Sequence, residues 1–296
     1  MPAMPAMPVT SATVGELLDD AEAQIKACEA IELWRPYMAR LEAASLLGSV
    51  IGHDPQESEE VVPAAARRRF DDLIARRLTG EPAALITGTT TFRGLELRTR
   101  PGVFIPRSSS ESLAGEAVRR LRRRRHPVAV DVATGSGPVA LAVASEVPAA
   151  RVYGVDISPR ALSLARANAK RLHLPNVTFL RSDVLSALPK DLERGVDVIT
   201  VHPPYVARSM MSDLPVEIRG FEPETSLTDQ SEDGLGLVRA LVDQAPGWLR
   251  TGGWILVEVS PDLSRRVGGI LRRNGYRDVK SHKDSLGATR VLAGRR

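Results

Sequence analysis

Cysteine is almost absent from this chain: Cys28 is the only one in 296 residues. A single thiol excludes an internal disulfide framework and any zinc site built on paired cysteines. Histidine is thin as well. His53, His126, His173 and His282 stand far apart without metal-ligand spacing, so no metal is expected. Long apolar runs are missing, which excludes a membrane-spanning helix and a membrane partner. The opening MPAMPAMP has neither the charged nor the apolar region of a signal peptide, and a cytoplasmic location is the expectation. Charge of one sign is not in large excess. A net charge of +4 and a pI near 9.5 are mildly basic and do not by themselves point to nucleic acid. One basic cluster stands out, Arg119, Arg120 and Arg122 to Arg125. It reads as a patch for RNA or an acidic partner, or as the solvated face of a helix in an arginine-rich chain. The second reading is preferred, and no direct nucleic-acid partner is expected.

What is present is an ordinary globular composition, 43% hydrophobic and 26% charged, in a chain long enough for one large and one small domain. The rest is organised around Val128–Ala144, reading VAVDVATGSGPVALAVA. The apolar run Val128-Ala129-Val130 suits a buried parallel strand. Ala133-Thr134-Gly135-Ser136-Gly137 is a small-residue turn, and Pro138 stands where a helix can begin without losing a hydrogen bond. Strand, glycine turn and helix open a nucleotide-binding unit: the backbone can approach a ligand, and the helix start offers N–H groups. Arg151–Asp156 reads as the next strand, ending in a carboxylate that can accept both hydroxyls of a ribose. The competing reading of Asp156 is a helix cap before Pro159.

Residues 1–11 repeat Met-Pro-Ala and read as a disordered tail. Helical patterns at Val14–Ala27, Pro36–Ile51 and Pro63–Leu78 predict a small helical N-terminal domain over residues 12–82. The second helix is expected to bury Tyr37, Leu41, Ala44 and Leu47. The third should stop at Gly80, with Pro82 just beyond. Trp34 and Tyr37 read as core or interface residues. Thr89–Phe92 and Leu95–Arg98 flank Arg93-Gly94 as a hairpin, in a linker over residues 83–101. The large domain, residues 102–296, opens with a helix expected at Ser110–Arg124. Strands follow at Val177–Arg181, Val196–Val201, Trp254–Val259, Tyr276–Lys280 and Thr289–Leu292, with helices at Pro159–His173, Leu235–Leu249 and Leu263–Arg273. Val206–Asp233 lacks periodicity, as lids and binding loops do. Strands alternating with helices predict an α/β fold with a parallel, doubly wound sheet.

Ligands of such sheets bind beyond the carboxyl ends of the strands. Four of those ends are marked: the glycine turn, Asp156, Asp183 and His202-Pro203-Pro204-Tyr205. The first three suit a nucleoside, with Asp183 near the base. A nicotinamide oxidoreductase could share the first two, but would not ask for the Pro-Pro-Tyr turn.

That turn resembles the N-P-P-Y motif of amino-group methyltransferases that use S-adenosylmethionine. The chain as a whole resembles the HemK/PrmC family of release factor glutamine methyltransferases. The likeness runs through Gly80-Glu81-Pro82, Ile86-Thr87-Gly88, Ile105-Pro106-Arg107, Asp156-Ile157-Ser158, Glu222-Pro223, Asp233-Gly234-Leu235, Gly252-Gly253 and Arg290-Val291. It implies a helical N-terminal domain, a β-hairpin linker and a Rossmann-like sheet of seven strands whose last strand is antiparallel. It also implies methyl transfer to a glutamine side-chain amide in a release factor, held by residue 202, the Pro203 carbonyl and Tyr205, with Pro204 completing the motif. Cofactor contacts are implied for Asp131, Ala133, Thr134, Gly135, Ser136, Gly137, Asp156, Ile157, Asp183 and His202. Acceptor contacts are implied for Arg107, Glu111, Tyr205 and Glu222.

The departures fall in the site. The family's D-x-G-T-G-S-G has Ala133 for its first glycine, which is mild provided that position is not left-handed. I-P-R-P-E-T-E becomes Ile105-Pro106-Arg107-Ser108-Ser109-Ser110-Glu111, and the motif asparagine becomes His202. A neutral histidine offers one acceptor nitrogen and can serve as a base. That leaves open a small-molecule acceptor bearing a hydroxyl, imidazole or amine, or a non-catalytic cofactor binder.

Overall fold

The computed structural model describes residues 12–32, 37–55, 59–284 and 287–296. The tail at 1–11 and Trp34 lie outside the described residues. The chain divides into two compact units, Met1–Gly88 with Leu214–Phe221, and Thr89–Asp213 with Glu222–Arg296.

The first unit is helical: α1 (Val14–Ala27), α2 (Met38–Ile51), α3 (Ala64–Leu78) and α4 (Ala83–Thr87). Thr13 starts α1 with a capping box. Its hydroxyl accepts from the Glu16 N–H at 3.2 Å, and the Glu16 carboxylate accepts from the Thr13 N–H at 2.8 Å. The core joins Val14, Leu18 and Ile25 of α1 to Ala39, Ala43, Leu46 and Leu47 of α2 and to Phe70 and Ile74 of α3. Of the residues expected on the buried face of α2, Leu47 is buried and Ala44 packs against the core, whereas Tyr37 is 57% and Leu41 60% exposed. Apolar residues surround most of this helix, so periodicity does not single out a face. Packing chose the side where Ala39 and Ala43 let a neighbour approach closely. Arg77 is fully buried and donates to Glu42 at 2.7 Å and to Glu217 at 2.8 Å. That pair fastens the short helix Val216–Arg219 to this unit.

The second unit begins with the hairpin Thr89–Phe92 and Leu95–Arg98. Arg93 (φ 47°) and Gly94 (φ 76°) both take positive φ, the two-residue turn whose twist matches its strands. Next come α5 (Glu111–Leu121), β1 (Val128–Val132), α6 (Pro138–Glu146), β2 (Arg151–Asp156), α7 (Pro159–Arg171), β3 (Val177–Arg181) and β4 (Val196–Val201). The chain closes with α8 (Gly236–Trp248), β5 (Leu249–Glu258), α9 (Ser264–Arg273), β6 (Arg277–Lys283) and β7 (Thr289–Arg295). The sheet order is β6-β7-β5-β4-β1-β2-β3, and β7 runs antiparallel to both its neighbours. The sheet is therefore mixed, as the family resemblance implies. Element alternation alone predicts an all-parallel one, because it does not register that β6 and β7 join without a helix.

Side chains alternate across the sheet. Ala129, Val198 and Leu256 pack with α5, α6 and α7, while Val130, Ile199 and Ile255 pack with α8 and α9. A strand covered on both faces is mostly apolar, and in β4 all six residues are buried, four of them apolar and the other two Asp197 and Thr200. Several boundaries differ from expectation, among them β6 at Arg277–Lys283 and β7 running on to Arg295. Helix α5 ends at Leu121, so Arg122 to Arg125 lie beyond it, and β5 begins at Leu249 rather than Trp254. The stretch 206–233 contains short helical turns at Arg208–Asp213, Val216–Arg219 and Glu224–Ser226. Most of the basic cluster is locally paired: Arg119 and Arg120 with Glu116, Arg122 with Glu146, and Arg124 with Asp197. Among the described residues, no helix is long and apolar enough to cross a membrane.

Candidate active site

Strands β1 and β4 are parallel neighbours, with Val132 opposite Val201, so the turns that leave them emerge side by side. From β1 comes the glycine turn. It is held from within by Asp131, which is buried and accepts from the hydroxyls of Thr134 at 2.6 Å and Thr200 at 2.7 Å. Burial pushes the Asp131 carboxyl up to about 6, against the opposing effect of those two hydroxyls. Its oxygens are thus turned toward the protein. Of the turn residues, Thr134 and Ser136 are likewise buried. Asn168, fully buried on α7, donates to the Ser136 carbonyl at 3.4 Å and to the Arg98 carbonyl at 3.2 Å. These side chains shape the turn. Gly135 faces outward: at φ 57° a methyl group added there would meet nothing within 4 Å.

Ala133 sits at φ 53°, in the left-handed region. The condition under which alanine would be a mild replacement is therefore not met, and an L-residue costs about 1 kcal/mol there.

Asp156 ends β2. One carboxylate oxygen accepts from the Gly135 N–H at 2.8 Å and the other from the Ser158 N–H at 2.8 Å. A carboxylate has about four lone-pair sites, so roughly two remain for a ligand. Burial raises its pKa against the pull of those N–H groups. Helix α7 is capped by the neighbouring Ser158, whose hydroxyl accepts from Ala161 N–H at 3.2 Å, so Asp156 is not that cap. Ile157 is 56% exposed beside it, and Asp183 is exposed after β3. A half-buried carboxylate with lone pairs to spare, an open glycine and an uncovered apolar side chain together suit a nucleoside with a flexible tail.

From β4 comes His202-Pro203-Pro204-Tyr205. The imidazole stacks on the Tyr205 ring at 5.7 Å and makes a T-shaped contact with the Phe104 ring at 5.4 Å. Its Nδ1 lies 3.0 Å from the Ser110 hydroxyl and 3.5 Å from a Glu258 oxygen. Burial lowers the His202 pKa. Glu258 works against that, and Arg107 and Arg290 add to it. The imidazole is therefore neutral at pH 7. Burial likewise pushes the Tyr205 hydroxyl up to about 12, so it stays protonated. The turn is braced by its own chain, since the Asp229 N–H donates to the Pro204 carbonyl at 3.2 Å and the Val206 N–H to the Leu227 carbonyl at 2.9 Å.

Arg107 lies over the Phe104 ring at 4.7 Å and pairs with the buried Glu222, which brings both next to the His202 shell. Glu111 is placed elsewhere. Its carboxylate accepts from the Arg93 N–H at 2.8 Å and so secures the hairpin turn. The residues that sequence reasoning missed are Ser109, Ser110, Phe104 and Glu258. Ser109 donates to Glu258 at 2.9 Å. A signal existed for Glu258, an acid at the carboxyl end of a central strand, but nothing local says which side chain it meets.

The helical segment matches the PrmC N-terminal domain over residues 16–88, and residues 125–222 match a methyltransferase domain. The release factor glutamine methyltransferase of Geobacter sulfurreducens is 37% identical over 268 residues, covering 87% of this chain and 89% of its own. That degree of likeness over nearly the whole of both chains decides the family.

The chain belongs to the release factor glutamine methyltransferase (HemK/PrmC) family.

A Streptomyces coelicolor relative of the same description is 36% identical, covering 87% of this chain and 91% of its own. A T. thermophilus 16S rRNA methyltransferase, solved with AdoMet and guanosine, shares the fold. It has TM-score 0.52 and 21% identity, over 70% of this chain and 49% of that one.

Proposed function

We propose that this methyltransferase moves a methyl group from S-adenosylmethionine to the side-chain amide of a release-factor glutamine in the cytoplasm. The observation that carries the reading is the His202-Pro203-Pro204-Tyr205 turn, which leaves β4 beside the glycine turn of β1. Asp156 would take the ribose hydroxyls, Ile157 and Asp183 would flank the base, and the open side of Gly135 would pass the tail. Bound there, S-adenosylmethionine supplies an electrophilic methyl on its sulfonium.

The rest is done by the protein. An amide nitrogen is a weak nucleophile, so its orientation matters most. The neutral His202 ring and the Pro203 carbonyl accept its two N–H bonds, and the Tyr205 ring packs on its plane. The new C–N bond forms as the S–C bond breaks, and the nitrogen then gives up one proton, to His202 or to water. Arg107, paired with Glu222, lines the acceptor side.

A second reading rests on the imidazole itself. A base at residue 202 suits a small hydroxyl, imidazole or amine acceptor that must lose its proton. Labelled S-adenosylmethionine and purified release factor separate the two. Label on the glutamine, absent when that glutamine is changed to alanine, is the expected result. No label on the release factor from an enzyme that binds the cofactor would overturn the glutamine reading in favour of the small acceptor.

A further inference from the structure

Asparagine and histidine differ in a way that matters at this position. An asparagine side chain always has an oxygen to accept an N–H. A neutral imidazole has one acceptor nitrogen, and whether it is Nδ1 or Nε2 depends on what surrounds the ring. Exchange of asparagine for histidine therefore keeps an acceptor toward the substrate only if another group fixes the tautomer.

The structure provides such a group. Glu258 ends β5 fully buried, and one of its oxygens accepts from the Ser109 hydroxyl at 2.9 Å. The other, Oε2, is buried without a hydrogen-bond partner and lies 3.5 Å from His202 Nδ1. A carboxylate has no proton to give, so beside Nδ1 it favours a proton on that nitrogen. The Ser110 hydroxyl, 3.0 Å from Nδ1, can accept the same proton. With Nδ1 protonated, Nε2 keeps its lone pair. The opposite tautomer would set an N–H against the N–H of an amide, donor facing donor.

We propose that Glu258 is a positioning residue which holds His202 as the Nδ1–H tautomer, so that Nε2 accepts an N–H of the methyl acceptor. The assignment rests on the amide reading above. It gives the histidine the asparagine's task and does not require it to be a base. Ser109 and Ser110 complete the device: one orients the carboxylate and the other shares the Nδ1 proton.

The groups facing the ring are Glu258 at the end of β5, Arg290 on β7, Arg107 and Phe104 before α5, Ser110 at its start, and Tyr205 on the same turn. A protonated ring has no acceptor, so the rate should fall on acidification through the His202 ionisation. Glu258 raises that ionisation and both arginines lower it. Removal of the Glu258 charge should thus move the acid limb to lower pH.

The test uses the full-length enzyme labelled with 15N-histidine, together with E258Q, H202N and the double variant. Nitrogen shifts of the wild type above the His202 ionisation should report Nδ1 as the protonated nitrogen and Nε2 as the bare one. In E258Q the glutamine amide can donate to Nδ1 and reverse that pattern. Methyl transfer by E258Q should fall tenfold or more in kcat/KM, with its acid limb at lower pH. In the H202N background the same change should cost less than threefold, because asparagine has no tautomer to fix. A wild-type ring protonated on Nε2 overturns the proposal even if E258Q fails to fold. An equal loss from E258Q in both backgrounds also overturns it. An Nδ1–H ring in an enzyme that leaves release factor unlabelled supports the tautomer assignment and refutes the glutamine acceptor instead.

Discussion

Asp156 gives the sharpest test of the cofactor site. Its two oxygens each accept one backbone N–H at 2.8 Å, from Gly135 and Ser158, which leaves a lone pair on each for a ribose hydroxyl. Hydrogen bonds to a charged group contribute about 1.5–3 kcal/mol each. At the lower value, loss of both amounts to about 3 kcal/mol, or roughly 100-fold in Kd. Water entering the space left by Asp156→Ala returns part of that, so a weakening of at least about tenfold for S-adenosylhomocysteine is expected. The substitution also strips an acceptor from the Gly135 and Ser158 N–H groups, about 1 kcal/mol each where water can reach them. Calorimetry must therefore be paired with a melting curve showing that the variant folds. The pH dependence follows in sign. Burial raises the Asp156 pKa, and only the carboxylate accepts two hydroxyls. Affinity should hold at neutral pH and fall on acidification sooner than for an ordinary aspartate. Unchanged affinity in a folded Asp156→Ala variant would refute the placement of the ribose.

Two further expectations concern the glycine turn. Ala133→Gly relieves an L-residue at φ 53°, worth about 1 kcal/mol, and loosens the unfolded chain by about 0.4–1 kcal/mol, so chemical denaturation should show stability unchanged or slightly raised; a loss above about 1 kcal/mol would mean that the alanine is unstrained. Asp131, pushed up to about 6 when folded against an ordinary value of 3.8, binds its proton more tightly in the native state. Its desolvation cost is thus present above about pH 6 and relieved as pH falls toward 4. Relative to Asp131→Asn, the wild type should gain on the order of 1 kcal/mol between pH 7 and pH 5 in urea unfolding; parallel pH profiles would place that proton elsewhere.

Much of this molecule is written locally. The short apolar runs, the Pro138 and Pro159 helix starts and the Arg93-Gly94 turn depend on neighbours within a few residues, so strands such as Val196–Val201 and Arg151–Asp156 are legible to the residue. The glycine turn, Asp156 and the His-Pro-Pro-Tyr step are legible too, because strand ends in a parallel sheet face one side and the chemistry collects there. Tertiary structure decided what each of those groups meets. Packing rotated α2 away from Leu41, since a helix apolar on nearly every side carries no directional signal. It turned Asp131 inward onto Thr200 of the neighbouring strand and drew Glu111 to the hairpin. Above all it gathered Ser110, Glu258 and Arg290 around His202 from three other stretches of chain. A histidine's tautomer and charge are set by atoms within a few ångströms, and sequence separation says nothing about which atoms those are.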